Sequence, residues 1–229
     1  MTAIRPLLVV ALIFCSATLN AQAPSATSTV SFNLDAAIVP PDHYSITVTS
    51  DGSTAYESTD ANKKDAEALD PYQLKFTMSE PTLKKIFALT EAANHFHGNF
   101  AFKGKTAHTG TKTLRYTDQN LDLKQTYEWS QDPSIQQLTS IFEGIATVQE
   151  SARRLRFLRR FDKLSVDAEL KGLERLSDGG EAYELHTIAP LLQTIANDIT
   201  LLKAARERAR KLLEKAQNEA APVPAQAQK

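Results

Sequence analysis

The sequence predicts an α+β fold: an antiparallel sheet built from β-hairpins with covering helices, followed by a C-terminal α-helical hairpin. Three observations carry this. Apolar and polar residues alternate on both sides of Asp51-Gly52, a second alternating pair flanks Asp118-Gln119-Asn120, and from Ser134 onward apolar residues recur every three or four positions. Period two marks strands with one buried face, whereas spacing near 3.6 marks helices.

Each element follows from local chemistry. Tyr44, Ile46 and Val48 share one face, and Asp51-Gly52 comes directly after them. An Asp-Gly turn between β-prone runs closes a hairpin because glycine supplies positive φ, so strands are predicted over 44–49 and 53–58. Leu74, Phe76 and Met78 alternate as a third strand, and Ser79-Glu80-Pro81 starts a helix with apolar residues Leu83, Ile86, Phe87 and Leu89. The second hairpin runs over 111–117 and 121–129, with Leu121, Leu123, Tyr127 and Trp129 expected on one face. Asp132-Pro133 caps the next helix.

Leu138, Ile141, Ile145, Val148, Ala152 and Leu155 form a narrow apolar stripe. Ser177-Asp178-Gly179-Gly180 interrupts the chain, and Leu185, Ile188, Leu192, Ile195, Ile199 and Leu202 repeat the same spacing, continued by Ala209, Leu213 and Ala216. Two such stripes joined by a glycine break predict a helical hairpin in which one packs on the other, with Pro190 kinking or starting the second arm.

The first residues read as an export signal. One cation, Arg5, precedes an apolar run of about eleven residues, and small residues follow; a cut after Ala23 fits the A-x-A rule but is followed by Pro24, and a cut after Ala21 has Leu19 three residues before it, so the cut is expected near Ala21 or Ala23. A spanning helix needs roughly 20 apolar residues, so no transmembrane anchor is expected after cleavage, and the mature chain is expected to be secreted or periplasmic. Cys15, the only cysteine, lies inside that run; its removal excludes disulfides and thiol chemistry. The resulting division is a signal peptide over 1–23, a flexible leader over 24–40, an α+β domain over 41–150, a helical hairpin over 151–217 and a disordered tail over 218–229.

Charge separates the halves. The segment 24–150 holds 10 basic and 16 acidic residues, whereas 151–229 holds 15 basic and 11 acidic. The near-zero total argues against a polyanionic partner, and no nucleic acid is expected.

The run P-D-H-Y-S-I-T-V-T-S-D-G-S-T-A-Y-E, with the strand, capped helix and second hairpin after it, resembles a family of uncharacterised secreted bacterial domains. There a C-P-x-Y segment leads into a D-G-x-x-x-Y hairpin. The resemblance covers Pro41 to Val148 and implies the fold and the export; it implies no activity. Pro41-Asp42 stands where relatives carry Cys-Pro, so no thiol role transfers.

Candidate chemistry is sparse. His95, His97 and His108 lie close in sequence, and an H-x-H pair on a strand can hold zinc with a third ligand. No carboxylate at diagnostic spacing completes the set, so the histidines read as polar residues around a loop whose Phe96, Phe100 and Phe102 dock inward. Asp51, Glu57 and the acids over 60–70 lie in turns and polar loops, where nothing tunes them for acid-base work. Arg153, Arg154, Arg156, Arg159, Arg160 and Lys163 place six cations in eleven residues, with a second cluster at Arg206, Arg208, Arg210 and Lys211. These read as a solvated face that pairs with acids of the other half, while Leu155, Phe157, Leu158 and Phe161 pack inward. No residue is assigned a catalytic, metal or cofactor-binding role.

The leading expectation is a non-enzymatic exported protein acting through protein contacts or at the cell envelope, with an unknown protein partner. Two alternatives stand beside it: a metal-binding protein or metal-dependent enzyme using His95 and His97, and a binder of anionic membrane surfaces through the Arg153 to Arg160 face.

Overall fold

In a computed structural model, the described residues are 27–36, 41–59, 71–105 and 110–220. The signal peptide expected over 1–23 and residues 221–229 lie outside them, whereas the start of the tail expected over 218–229 is corrected: residues 218–220 complete the last helix. Six strands come first: β1 (Thr29–Asp35), β2 (His43–Thr49), β3 (Ser53–Thr59), β4 (Tyr72–Thr77), then, after helix α1 (Glu80–Ala92), β5 (Thr111–Thr117) and β6 (Asp122–Tyr127). Helices α2 (Pro133–Phe161), α3 (Val166–Asp178), α4 (Ala189–Asn197) and α5 (Lys203–Ala220) complete the α+β architecture, and α4 and α5 pack as the C-terminal helical hairpin.

All neighbouring strands are antiparallel, in the order β4-β3-β2-β1-β5-β6. The register lines up Leu74, Tyr56, Ile46, Phe32 and Leu114 as one apolar row across five strands. α2 lies on this face, where Phe142 stacks on Phe32 with ring centroids 5.2 Å apart. The opposite face carries Ser31, Asn33, Ser45, Thr47, Glu57 and Lys75, so period two sorts the strands into a dry and a wet side. Gly52, at φ +86°, turns the β2-β3 hairpin where the sequence placed it.

The leader expected over 24–40 is corrected by β1, which lies at the sheet's centre and pairs with both β2 and β5. Its inward residues Val30 and Phe32 are fully buried, and its outward Thr29, Ser31 and Asn33 gave the segment the polar look of a linker. Leu121 and Trp129 are also corrected: both are exposed, and only Tyr127 of that expected face is fully in the core.

The boundary expected at 150/151 falls inside α2, a single 29-residue helix capped by Asp132, whose carboxylate accepts the backbone N–H groups of Ser134 and Ile135. Ile135, Leu138, Ile141, Phe142 and Ile145 point into the sheet core, whereas Val148, Ala152 and Leu155 join the helical core. Between them Ala146 and residues 148–152 are buried, including the polar Gln149, Glu150 and Ser151, because sheet and helices close on the helix from different sides. Gly144 permits the crossing there, since a Cβ at that position would stand 2.3 Å from the Glu181 carbonyl oxygen.

The second stripe is three pieces rather than one arm. A short 3-10 turn (Leu185–Ile188) leads into α4 with Pro190 in its first turn, and a turn at Asp198 to Leu201 separates α4 from α5. Ile188, Leu192 and Ile195 are buried as expected, but Ile199 is 84% and Leu202 46% exposed. Asp198 ends the helix by taking the backbone N–H and hydroxyl of Thr200, and this turn rotates Ile199 out of the stripe. α5 then buries Ala205, Ala209, Leu212 and Ala216.

Candidate functional site

Two places stand out. The first is the end of the helical half where α2 stops and α4 turns into α5. Arg159 donates to Asp198 at 3.0 Å and Lys163 to the Thr200 hydroxyl at 2.8 Å, which sets the two turns side by side. Phe157, Phe161, Leu164 and Ile199 are 55%, 64%, 74% and 84% exposed. The inward packing expected of Phe157 and Phe161 is thus corrected, because the 3.6 period turns them off the Leu155 face; the two rings touch each other at 4.8 Å. Arg160 lies over the Phe161 ring at 5.1 Å, and Arg156 donates to the Tyr72 hydroxyl.

Several of the other cations are held by acids. Arg154 pairs with Glu169, Arg159 with Asp198, and Arg208 with both Asp167 and Glu174. Asp198 responds: the Thr200 hydroxyl and N–H, then Arg159, hold its carboxyl down to about 2. These pairs join helices of the same half rather than reaching acids of the sheet half. The exception is Glu150, buried under the sheet, which accepts the hydroxyls of Tyr56 at 2.8 Å and Ser58 at 2.6 Å with Arg153 3.7 Å away. Burial, then the Glu150 charge, pushes the Tyr56 phenol far up, so it stays a donor. An open groove of about 460 Å³ between α2 and α3 is lined by Ser151, Arg154, Glu169 and Glu181, with Arg154 closed on Ser151 and Glu169.

The second place joins three distant segments. Glu184, fully buried and at φ +62°, takes the Ser79 backbone N–H at 2.8 Å and the Ser79 hydroxyl at 2.6 Å. A carboxylate from far along the chain therefore takes the Ser79 N–H at the positive end of α1, where the Ser79 side chain itself makes no capping bond to the helix backbone. Glu219, near the end of α5, accepts the backbone N–H groups of Glu184 and His186 at 2.8 and 3.1 Å. His186 places Nε2 3.2 Å from the Thr77 carbonyl oxygen and Nδ1 3.5 Å from Glu184 and 3.8 Å from Glu219. The Glu219 carboxylate, with Glu184 behind it, raises the His186 pKa against the opposing effect of burial.

The histidines singled out in the sequence lie elsewhere. His95 has left-handed backbone, φ +52°, and its ring rests on Tyr116 at 4.6 Å, while His97 is exposed. His108 lies outside the described residues. Among the described residues, Glu184, His186 and Glu219 are the group of three that can close on one ion. The Glu-x-His spacing at 184–186 was visible in the sequence, but its third member comes 33 positions after His186. Asp51 sits in its turn with its carboxyl lowered by the Thr49 hydroxyl and the Ser53 N–H, and Glu57 faces solvent on the outer sheet. The acids over 60–70 fall outside the described residues.

Fold and surfaces together define a two-core α+β protein with an exposed apolar and cationic end. No protein-family model matches the chain, and no curated protein matches it. Among the described residues no helix is long and apolar enough to cross a membrane.

Proposed function

We propose that this chain is an exported, non-catalytic, envelope-associated protein that rests the turn end of its helical half on an anionic lipid surface. The observation that carries this is the exposure of Phe157, Phe161, Leu164 and Ile199 together at one end. Contiguous exposed apolar side chains on a soluble protein mark a contact surface. The charges beside them choose the partner. Arg156 and Lys163 donate to neutral hydroxyls and Arg160 rests on an aromatic face, so their charge is available to anionic headgroups, each worth about 1 kcal/mol near such a surface. The rings and aliphatic chains enter the headgroup boundary while the cations stay at its level. The amino-terminal export pattern and the likeness of the β2-β3 hairpin to secreted bacterial domains support the location.

Co-sedimentation with vesicles tests it. The mature chain is expected to pellet with phosphatidylglycerol-containing vesicles, to ignore pure phosphatidylcholine and to release as salt rises. Phe161→Ser, Leu164→Ser and Ile199→Ser combined should abolish pelleting without lowering the melting temperature. A parent that ignores anionic vesicles refutes the lipid reading and leaves this surface to a protein partner.

A further inference from the structure

Glu184, His186 and Glu219 are drawn from the 3-10 turn before α4 and from the end of α5, and their ligand atoms lie within 4.8 Å of one another. We propose that they form a binding site for one divalent first-row transition metal, with zinc as its probe. The ligands are Nδ1 of His186 and one carboxylate oxygen from each glutamate.

The tautomer comes first. The Thr77 carbonyl oxygen can only accept, so Nε2 of His186 carries the hydrogen that points at it. That leaves Nδ1 facing two carboxylate oxygens at 3.5 and 3.8 Å, and this buried nitrogen has no hydrogen-bond partner. A protonated Nδ1 would draw an oxygen to about 2.7–2.9 Å. A bare Nδ1 lone pair would face two anions. Neither state suits the observed spacing, whereas a cation between the three atoms satisfies all of them. Zinc bonds of about 2.0–2.1 Å in a tetrahedron separate ligands by about 3.3–3.4 Å, so Nδ1 and each carboxylate oxygen need to close by a few tenths of an ångström, while the two carboxylate oxygens, within 4.8 Å of each other, swing together onto the ion.

The surroundings are already set for such an ion. The Ser79 N–H and hydroxyl orient the Glu184 carboxylate, the N–H groups of Glu184 and His186 orient Glu219, and the Thr77 carbonyl fixes the imidazole. Hydrogen bonds of this kind hold metal ligands in place and fix the coordinating nitrogen. A divalent charge also neutralises two carboxylates, one of which, Glu184, is fully buried. Three protein ligands leave a fourth position for water. Because Thr77 and Ser79 belong to the end of β4 and the start of α1, the ion would tie the sheet half to the helical half.

Metal analysis of the full mature chain after dialysis against zinc, with competition by a chromophoric chelator, provides the test. One zinc per chain is expected. His186→Ala and Glu219→Gln should each weaken binding at least tenfold, while the His95→Ala, His97→Ala double variant should bind like the parent. Nitrogen NMR of the unsubstituted chain keeps the test independent of folding defects: zinc should shift His186 Nδ1 and leave the other imidazoles in place. A parent that takes up no zinc, or a His186 resonance that ignores it, overturns the site, and so does zinc that disappears only in the His95, His97 variant. None of these readouts involves vesicles, so the site and the lipid reading stand or fall separately.

Discussion

The core under the sheet is rich in aromatic rings and the core among the helices is aliphatic, although α2 feeds both. Phe32, Tyr44, Tyr56, Phe96 and Phe142 fill the first. Val, Leu, Ile and Ala fill the second, where Ala152, Ala205, Ala209 and Ala216 let helix backbones approach closely. Strands hold their partners through backbone hydrogen bonds at a fixed spacing, and large rings fill the gap to the helix above. Helices have no such bonds to one another and rely on small side chains and on ion pairs at the rim, such as Arg208 with Asp167 and Glu174. The difference shows that one continuous helix can serve two packing regimes if its middle is buried on several sides and its polar groups there are answered.

The largest effect that bears on this comparison is a cavity in either core. Phe142→Ala should cost about 3–5 kcal/mol and Leu192→Ala about 2–5 kcal/mol. Because α2 carries both cores, both variants should melt in one transition seen alike by far-ultraviolet circular dichroism and by fluorescence of Trp129, the only tryptophan. A Leu192→Ala chain that loses helix while Trp129 keeps the parental midpoint would show two independent units.

A smaller effect sharpens the seam between them. Tyr56→Phe removes one of the two hydroxyls donated to Glu150 and leaves Ser58 in place. Hydrogen bonds to charged groups contribute about 1.5–3 kcal/mol, so the unfolding free energy should fall by that amount, read as a lower urea midpoint at unchanged slope. No loss would mean that Glu150 is solvated and that the seam between the two cores is open to water.

The smallest effect belongs to the rim of the helical core. Asp198 has a folded pKa near 2, below its ordinary 3.8, so its contribution is complete above about 4 and is lost as pH falls toward 2. Asp198→Asn should lower stability above about pH 4 and flatten the acid limb, so that parent and variant converge as pH falls toward 2. Equal acid limbs in parent and variant would remove Arg159 and Thr200 as its effective partners.

Much of the fold was legible because turn chemistry and periodicity are local. Asp51-Gly52, Asp132-Pro133 and the stripe from Leu138 to Leu155 each appear where the sequence placed them. β1 was not legible, since its three outward residues Thr29, Ser31 and Asn33 match linker composition and only Val30, Phe32 and Leu34 betray the alternation. Ile199 continued a helical spacing that the Asp198 turn cuts, a side-chain competition with the helix that spacing alone does not weigh. The candidate ion site was hidden for a different reason: its members come from 184, 186 and 219, and only the folding of α5 back along α4 brings them together.

The position of β1 has a consequence for assembly. Among the described residues, the seven of Thr29–Asp35 form the strand that joins β2 to β5 in the sheet. A chain deprived of them would present a β2-β3-β4 meander and a β5-β6 hairpin with a vacant slot between, bordered by two rows of unpaired amide and carbonyl groups. Such a slot accepts any strand of suitable length, and the nearest supply is the Val30-Phe32-Leu34 segment of another copy. Trimming at the amino-terminal side would therefore turn a self-contained sheet into an acceptor for strand exchange.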